Sequence, residues 1–481
     1  MKTTSRILAL LAGLCLVLEA VSGAWAPPPE DLTRKIDAIL GGPGLKNVSF
    51  SACVVRAGSG EILYEHNPRL ALLPASNMKM VTAAAALERL GRDFTFETRV
   101  VLCGQTLVII GGGDPLLGDR DSEARNERRS QPVLRDLVSR LKEAGVTTLS
   151  DIRVDTSIFD SQRVHPSWPA NQLHQKYACE VSGLNYNCNC VDVAASNEKG
   201  RIVLSMDPPN SFIRLVNAVT PRRFGPSQFS VDRTGVPGQL LISGNVRTQA
   251  GPYAVAVENP GLFFGNLAAD AATKAGIKVT GRVLEGPVPE GCEARPLVEY
   301  RTGLGQVLIR ADRDSLGLAA EALFKRLGAQ ADPSGRNGSW EGGRKVVQEY
   351  LGGLGLEPSD FSISDGSGLS RDNRLSAWAL TRVLMHLHAG PSWEFFKSTL
   401  AVGGLDGTIE RHFWEKKYRG RVQAKSGYIM AVRALSGVVH TDSGDYLFSF
   451  LANQAGNGSR TAIDNAVKAI IDWGELPRNL R

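Results

Sequence analysis

The amino-acid sequence predicts an α+β fold whose main domain is interrupted by a large β-rich insertion. Two apolar strand patterns and an alanine-rich helix come before residue 97. Between 98 and 296, short β-like runs alternate with turns rich in Gly, Pro and Asn, with one helical pattern at Leu134–Ala144. Helical patterns then return, and the chain ends in strand, turn, strand and helix. We therefore expect one domain in two sequence pieces, 25–97 and 297–481, around one or two inserted lobes.

The first piece begins with an amphipathic helical pattern at Asp31–Leu40, which ends at a glycine pair. Val48–Val55 and Ile62–Tyr64 are apolar runs on either side of a Gly-Ser-Gly turn, which is typical of a hairpin. Ser76 then opens a helix predicted over Asn77–Leu90. In the second piece, apolar periodicity predicts the following helices and strands in chain order: helices Leu316–Leu327, Trp340–Leu351 and Trp378–His388, strands Arg433–Thr441 and Tyr446–Asn453, and helix Arg460–Trp473.

The charge balance excludes some functional classes. The 481 residues include 55 Lys and Arg against 49 Asp and Glu, a formal net charge of +6, so the chain is not a disordered polyelectrolyte. It has no run of basic residues that could follow a phosphate backbone, so nucleic-acid binding is not expected. The 51 glycines exceed the usual share of about 7% and point to many tight turns. The oligomeric state stays open at this stage.

The N-terminus is typical of a secretory signal peptide over residues 1–24. Lys2 and Arg6 precede an apolar run, Ile7–Leu18, and small residues follow at 22–24. This run is short for a membrane span, although a retained anchor stays a possible alternative. No later stretch is apolar and long enough to cross a bilayer, so we expect an exported protein with no integral membrane segment after cleavage.

Export affects how the cysteines are interpreted. Without Cys15 in the signal, six remain, an even number that permits up to three disulfides in an oxidising compartment. Cys179, Cys188 and Cys190 are clustered, which leaves disulfides, free thiols and a metal site open. Disulfides are favoured, because no histidine lies at ligand spacing beside the cluster. We expect no metal and no cofactor. Gly111–Gly113 is not followed by the Gly-Lys-Ser/Thr of a phosphate-binding loop.

A serine three residues before a lysine at the start of a helix is a candidate nucleophile. The two side chains share one helix face, and a neutral amine can remove the hydroxyl proton. The sequence contains three such pairs, at Ser76, Ser139 and Ser196. Only Ser76-Asn77-Met78-Lys79 lies at the start of a long apolar helix, where backbone N–H groups can stabilise an oxyanion. Taken alone, this pattern is also compatible with an ordinary helix start.

Two further segments carry polar groups suited to substrate binding. Lys425-Ser426-Gly427 is predicted on a strand, where a lysine and a hydroxyl can hold a carboxylate and glycine permits close approach. Asp365–Asn373 is a polar loop before a helix. Taken separately, the first is compatible with an ordinary strand lysine before a bulge, and the second with a solvated turn.

Taken together and in this order, the three segments are the motif set of penicillin-recognising serine enzymes. The chain resembles the D-alanyl-D-alanine carboxypeptidase/endopeptidase family, the class C low-molecular-mass penicillin-binding proteins, from about residue 30 to 475. The resemblance rests on six short motifs that occur in the family's order: Pro74–Lys79, Gly111–Pro115, Val181–Asn185, Asp365–Asn373, Gly404–Thr408 and Lys425–Gly427. It implies a serine DD-peptidase/β-lactamase-like fold, with an antiparallel sheet flanked by helices. It also implies insertion of the extra region after the Ser76 helix.

The resemblance also implies roles and partners. Ser76 would form an acyl-enzyme with peptidoglycan peptides ending in D-Ala-D-Ala, and β-lactam antibiotics would inhibit covalently. Lys79 would be the base, with a pKa lowered by burial and by a nearby cationic Lys425. Ser370 would relay a proton to the leaving amine, and Asp372 or Asn373 would face the substrate. Lys425, Ser426 and Gly427 would bind the terminal carboxylate, and the N–H groups of Ser76 and Tyr428 would form the oxyanion hole. The expected location is the periplasm or cell-wall space.

Two departures from the family pattern keep alternatives open. The second motif is usually Ser-x-Asn, whereas here Asp372 takes the third position and Asn373 follows it. Lys-Ser-Gly replaces the commoner Lys-Thr-Gly but keeps the hydroxyl. One alternative is a β-lactamase or esterase on the same fold, and another is a catalytically silent peptidoglycan-binding protein. The sequence also leaves open whether carboxypeptidase or endopeptidase activity dominates.

Overall fold

The computed structural model describes residues 29–125 and 132–476. The predicted signal peptide, 1–24, lies outside the described residues. Within the described ranges, no helix combines the length and the apolar character needed to cross a membrane. The α-helices there are α1 Glu30–Leu40, α2 Met78–Leu90, α3 Arg120–Arg125, α4 Pro132–Glu143, α5 Pro260–Lys274, α6 Leu304–Asp312, α7 Gly317–Ala331, α8 Trp340–Gly353, α9 Ala377–Ala389, α10 Trp393–Thr399 and α11 Ser459–Gly474.

The strands of the described ranges form several sheets. In chain order they are β1 Ser49–Arg56, β2 Ile62–His66, β3 Thr95–Cys103, β4 Thr106–Ile110, β5 Thr148–Leu149, β6 Ile152–Asp155, β7 Cys190–Glu198, β8 Arg201–Asp207, β9 Arg214–Pro221, β10 Gln228–Arg233, β11 Gln239–Val246, β12 Gln249–Ala256, β13 Lys278–Val279, β14 Val283–Glu285, β15 Arg295–Gly303, β16 Phe361–Ser362, β17 Arg374–Leu375, β18 Ala401–Val402, β19 Val422–Ile429, β20 Val432–Thr441 and β21 Gly444–Asn453.

The central sheet combines strands from both ends of the chain. Its order is β18-β19-β20-β21-β1-β2, and every neighbouring pair is antiparallel. Side chains alternate between the two faces, so Phe50 and Val54 of β1 pack with α1 and α11, whereas Cys53 and Val55 join the core that contains α2, α7 and α9. Both faces are therefore covered, which explains why β1 is apolar almost throughout.

The inserted region has its own core and is mostly β structure. Its largest sheet has the order β14-β6-β4-β3-β15, and it also contains the three-stranded sheets β10-β11-β9 and β12-β7-β8. Apolar side chains of these sheets pack with α4 and α5. The α+β architecture with a β-rich insertion, predicted from the sequence, is confirmed.

The chain enters and leaves the insertion through paired strands. β3 and β15 are antiparallel neighbours from Thr95 opposite Gly303 to Leu102 opposite Arg295. The two strands lie across the predicted limits at 98 and 296, so each limit falls inside a strand. The exact domain limits stay a prediction.

One disulfide joins the insertion to the segment that leads back to the central sheet. It links Cys103, at the end of β3, to Cys292. The other four cysteines of the described ranges are free and buried: Cys53, Cys179, Cys188 and Cys190. Burial raises the pKa of the Cys179 thiol to about 12, which keeps it protonated. The expectation of disulfides thus holds for one pair but is wrong for the cluster Cys179, Cys188 and Cys190, whose thiols are free and buried in the core.

Candidate active site

Ser76 lies on a short 3₁₀ turn, Ala75–Asn77, that leads directly into α2. Ala75 has a φ of 47°, a left-handed conformation that is uncommon for a residue with a side chain. The loop around Gly368 packs against this turn so closely that a Cβ atom there would overlap the Ala75 carbonyl oxygen. The polar loop Asp365–Asn373, which contains Gly368, therefore helps to hold the backbone before Ser76.

The Lys79 side chain is buried beside Ser76. Its Nζ lies 3.1 Å from Ser76 Oγ and donates a 2.7 Å hydrogen bond to the Ser367 carbonyl oxygen. Burial lowers the pKa of Lys79 to about 8, although the carboxylates of Glu321, Asp365 and Asp312 act in the opposite direction. A substantial fraction of this amine is therefore neutral at physiological pH and can accept the hydroxyl proton.

Lys425 is the second buried lysine of the site. It lies on β19, and its Nζ donates to the Ser426 carbonyl oxygen at 2.9 Å. Burial lowers its pKa, and the positive charge of Lys79 lowers it further. The sequence-based expectation was that Lys425 lowers the pKa of Lys79. In the structure, burial is the main cause at both lysines, and the repulsion between their positive charges disfavours protonation of both together.

Two buried carboxylates balance these lysines. Asp312 lies close to both and accepts a hydrogen bond from the Thr399 hydroxyl at 3.1 Å. Glu321 accepts hydrogen bonds from Ser367 N–H, Gly366 N–H and the Trp340 indole at 2.7, 3.1 and 2.8 Å. Burial raises the pKa of each carboxyl group to about 7. The sequence analysis missed both residues, because nothing local marks a carboxylate on an apolar helix as part of a site.

The rest of the β19 motif forms one wall of the cleft at Ser76. The Ser426 hydroxyl donates to Thr408 Oγ1 at 2.8 Å. A Cβ atom at Gly427 would lie 2.8 Å from the Pro74 carbonyl oxygen, so only glycine lets the strand approach the Ser76 turn this closely. Tyr428 is 69% exposed, and the guanidinium of Arg433 lies 4.1 Å from its ring centre.

The structure brings Ser76, Lys79, Lys425, Ser426, Gly427 and Tyr428 together, but it does not place Ser370 in the cleft. Ser370 is buried, and its hydroxyl donates to Ser364 Oγ at 3.0 Å and accepts from the Ser167 hydroxyl at 2.7 Å. Asn373 is also buried, and its amide donates to Asp365 Oδ1 at 2.7 Å. Asp372 is exposed. The hydrogen bonds of Ser370 and Asn373 thus join this loop to Ser364, Asp365 and Ser167, and their roles in proton relay and substrate binding stay predictions.

A further serine, Ser315, lines the same cleft as Ser76. The cleft has a volume of about 310 Å³ and is lined by Ser76, Ser315, Thr408, His412, Ser426, Gly427, Tyr428, Arg433 and Arg460. Ser315 lies in the short loop between α6 and α7 with a φ of 61°. Its only local signal is a polar stretch before an apolar helix. The residue two positions later is Gly317 where a Ser-x-Asn motif would have asparagine, so sequence reasoning missed it.

Comparison with known proteins assigns the family. The model of the D-Ala-D-Ala carboxypeptidase 3 (S13) family matches residues 32–473. The chain belongs to this family. The predicted family is therefore confirmed, and so is the prediction of a serine peptidase.

Individual proteins similar to this S13 peptidase agree in length and fold. The D-alanyl-D-alanine carboxypeptidase of Actinomadura sp. strain R39 is 29% identical over 484 residues, which cover 95% of this chain and 87% of that protein. The crystal structure of penicillin-binding protein 4 (dacB) from Haemophilus influenzae has a TM-score of 0.76 at 22% identity, covering 92% of this chain and 99% of that one. The same protein complexed with a novel β-lactam has a TM-score of 0.70 at 22% identity, covering 92% and 100%.

Proposed function

We propose that this S13 peptidase hydrolyses the D-Ala-D-Ala bond of peptidoglycan stem peptides, as a carboxypeptidase, an endopeptidase or both, through an acyl-enzyme on Ser76. The observation that carries the proposal is the 3.1 Å distance between Ser76 Oγ and a buried Lys79 amine whose pKa is lowered to about 8. Similarity to the Actinomadura carboxypeptidase supports the substrate class.

In the acylation step, neutral Lys79 removes the hydroxyl proton as Ser76 Oγ attacks the carbonyl carbon between the two D-alanines. The backbone N–H groups of Ser76 and Tyr428 stabilise the oxyanion of the tetrahedral intermediate. The C–N bond then breaks, and the proton passes to the leaving amine. We assign this relay to Ser315, because its side chain lines the same cleft as Ser76. Water then attacks the ester and releases the shortened peptide.

The positive charge of the cleft is suited to a substrate that ends in a carboxylate. Lys425 and the Ser426 hydroxyl would hold that carboxylate, and Arg433 and Arg460 line the same cleft. Tyr428 would cover the bound peptide from the exposed rim. Penicillins carry a carboxylate and a strained amide in a similar arrangement, so we propose that they acylate Ser76 and inhibit the enzyme. The H. influenzae structure with a bound β-lactam supports this.

We further propose that the protein acts outside the cytoplasm, in the periplasm or cell-wall space, where its substrate lies. The predicted signal peptide over 1–24 supports this location, and a net positive charge favours association with anionic wall polymers.

The test is digestion of purified muropeptides followed by mass analysis. Loss of one alanine from pentapeptides shows carboxypeptidase activity, and conversion of cross-linked dimers to monomers shows endopeptidase activity. Fluorescent penicillin should label the protein, and Ser76→Ala should abolish both the labelling and the digestion. Ser139→Ala is the matched control, because Ser139 belongs to a second Ser-x-x-Lys pair on α4 and does not line the cleft. Persistent labelling of Ser76→Ala would contradict the proposal.

A further inference from the structure

A second cavity opens from the cleft, and we call it the leaving-side cavity. It has a volume of about 770 Å³, more than twice that of the cleft, and shares Ser315 and Thr408 with it. The insertion contributes Lys176 and Tyr177 to its wall, and Glu410 lies on the wall formed by the segment before β19. Cavities of about 300–1,000 Å³ are of the size that holds drug-sized ligands, so this space is far larger than one free alanine requires.

The position of this cavity relative to the scissile bond follows from the proposed function. Ser426 would hold the carboxylate of the leaving residue, and its hydroxyl donates to Thr408 at 2.8 Å. Because Thr408 also lines the second cavity, the space beyond it lies on the side of the leaving residue. In a linear pentapeptide the chain ends at that carboxylate. Only a cross-linked substrate continues past this point.

The part of the insertion that lines the cavity packs tightly against α7. Tyr177 belongs to a 3₁₀ turn, Lys176–Ala178, that packs against the start of α7, next to Ser315. A Cβ atom at Gly317 would lie 3.0 Å from the Tyr177 carbonyl oxygen, so glycine permits this close contact. The Tyr177 ring is 48% exposed, and its hydroxyl donates to Gln172 at 3.0 Å. An aromatic surface is thus presented to the cavity from a fixed backbone.

Two charged side chains of the cavity make no hydrogen bond and no ion pair within 4 Å among residues 29–125 and 132–476, although the carboxylate of Asp121 in the same lining interacts with one of them, Lys176. They are the ammonium group of Lys176 and the carboxylate of Glu410. Arg310, by contrast, is paired with the carboxylates of Asp119, Asp121 and Asp314 at 2.8, 2.8 and 2.6 Å. A cation on one wall and a carboxylate on the other suit a peptide that carries both carboxylates and amino or amide groups.

We propose that the leaving-side cavity binds the second stem peptide of a cross-linked peptidoglycan dimer. Lys176 receives a carboxylate of that peptide, Glu410 accepts hydrogen bonds from its amino or amide groups, and Tyr177 packs on its apolar stretch. The proposal rests on the proposed function and deepens it, because it makes the insertion a determinant of endopeptidase activity.

The experiment measures kcat/KM of the full chain on a pentapeptide monomer and on a cross-linked dimer. Lys176→Gln, Tyr177→Ala and Glu410→Gln should each lower the ratio of dimer to monomer kcat/KM by about tenfold, mainly through a higher KM for the dimer. Lys274→Gln and Tyr253→Ala are the matched controls, since both residues are exposed on the insertion and do not line the cavity. In these two controls the ratio of dimer to monomer kcat/KM should stay within about twofold of the value for the unmodified enzyme.

The outcomes separate this proposal from the proposed function. Absence of penicillin labelling and of both products in the unmodified enzyme would overturn the proposed function itself. Labelling and monomer trimming without any dimer cleavage would overturn only the cavity proposal. The cavity proposal would also be overturned if the enzyme cleaves dimers and all three variants keep the same ratio of dimer to monomer kcat/KM. Thermal unfolding of each variant monitors folding, and Glu410→Gln keeps the test valid if an insertion variant is unstable, because Glu410 is exposed on the surface.

Discussion

Two loops border Ser76, and they differ in a way that the sequence does not suggest. The loop Asp365–Asn373 is rich in serine, glycine and acidic residues, yet Ser370 and Asn373 use their polar side chains for hydrogen bonds to Ser364, Ser167 and Asp365. The loop around Ser315 is short and matches the family pattern poorly, yet its serine lines the cleft. A polar motif near a nucleophile can therefore be a structural support, whereas the serine that lines the cleft comes from a less conspicuous segment.

The buried carboxylate of Asp365 explains why the first loop needs its polar composition. It accepts hydrogen bonds from the Trp168 indole at 2.9 Å and from the backbone N–H groups of Gly368 and Ser370 at 2.8 and 2.6 Å. These bonds shape the turn that presents the Ser367 carbonyl oxygen to Lys79. The loop thus acts on Lys79 through the Ser367 carbonyl oxygen and the charge of Asp365, and its other polar side chains serve the fold.

The largest expected effect tests the supporting role of the first loop. Gly368→Ala should destabilise the protein by about 4 kcal/mol, because its φ of 83° disfavours a side chain and the new Cβ would overlap the Ala75 carbonyl oxygen. Thermal or denaturant unfolding measures this. Gly352→Ala, on α8 with open space around the Cβ, is the matched control and should change the stability by less than about 1 kcal/mol. If Gly368→Ala and Gly352→Ala have equal free energies of unfolding, the loop at Gly368 does not pack tightly against the Ser76 turn.

The next effect compares the two serines directly. Ser315→Ala should lower the rate of acylation by penicillin or peptide by about 10²-fold, equivalent to about 2.7 kcal/mol, because a group that relays a proton contributes on this scale. Its melting temperature should change little, since the side chain is partly exposed. Stopped-flow acylation and thermal unfolding provide the two readouts.

Ser370→Ala is the matched substitution in the other loop. It removes hydrogen bonds to Ser364 and Ser167 and should cost about 1–2 kcal/mol of stability while changing the acylation rate by less than about threefold. If instead Ser370→Ala slows acylation and Ser315→Ala does not, Ser370 is the proton relay, as the sequence predicts.

The smallest effect concerns pH. Lys79 acts as a base only when neutral, and its pKa is lowered to about 8, so the acylation rate should rise by up to about tenfold from pH 7 and level off above pH 8. An unshifted lysine would still be largely protonated there. Burial lowers the pKa of Lys425 to about 7, so this lysine loses its positive charge over the same range, and the KM of substrates with a carboxylate should rise with pH, because a neutral amine holds the anion less well. Ser315→Ala should leave the position of the acidic limb unchanged.

Local patterns predicted much of the architecture. The helices around Ser76, Trp340 and Trp378 and the final hairpin were predicted within a few residues, because amphipathic periodicity is a property of consecutive residues. The helix α5, Pro260–Lys274, was missed within a region of β-like texture. Its signals were present, with Asn259 capping Leu262 N–H and Pro260 at the first helical position. The strong β character of the flanking runs concealed them.

The tertiary structure also explains part of the glycine excess. Gly111 and Gly183 approach each other so closely that a Cβ at Gly111 would overlap the Gly183 carbonyl oxygen, and Gly112 lies equally close to the backbone of Glu97. The two family motifs Gly111–Pro115 and Val181–Asn185 therefore contribute to packing within the insertion and at its junction with the rest of the chain. The sequence identified the glycines as unusual but gave no partner for them.

The sequence by itself determined the Ser76 and Lys79 pair and the strand that carries Lys425. Each of these depends on residues close together in the chain, where helix and strand geometry fix which side chains share a face. Only the tertiary structure decided that Ser315 lines the cleft with Ser76, that Asp312 and Glu321 lie beside the two lysines, and that four cysteines of the described ranges stay free. These outcomes depend on which distant segments pack together and on how much water they exclude.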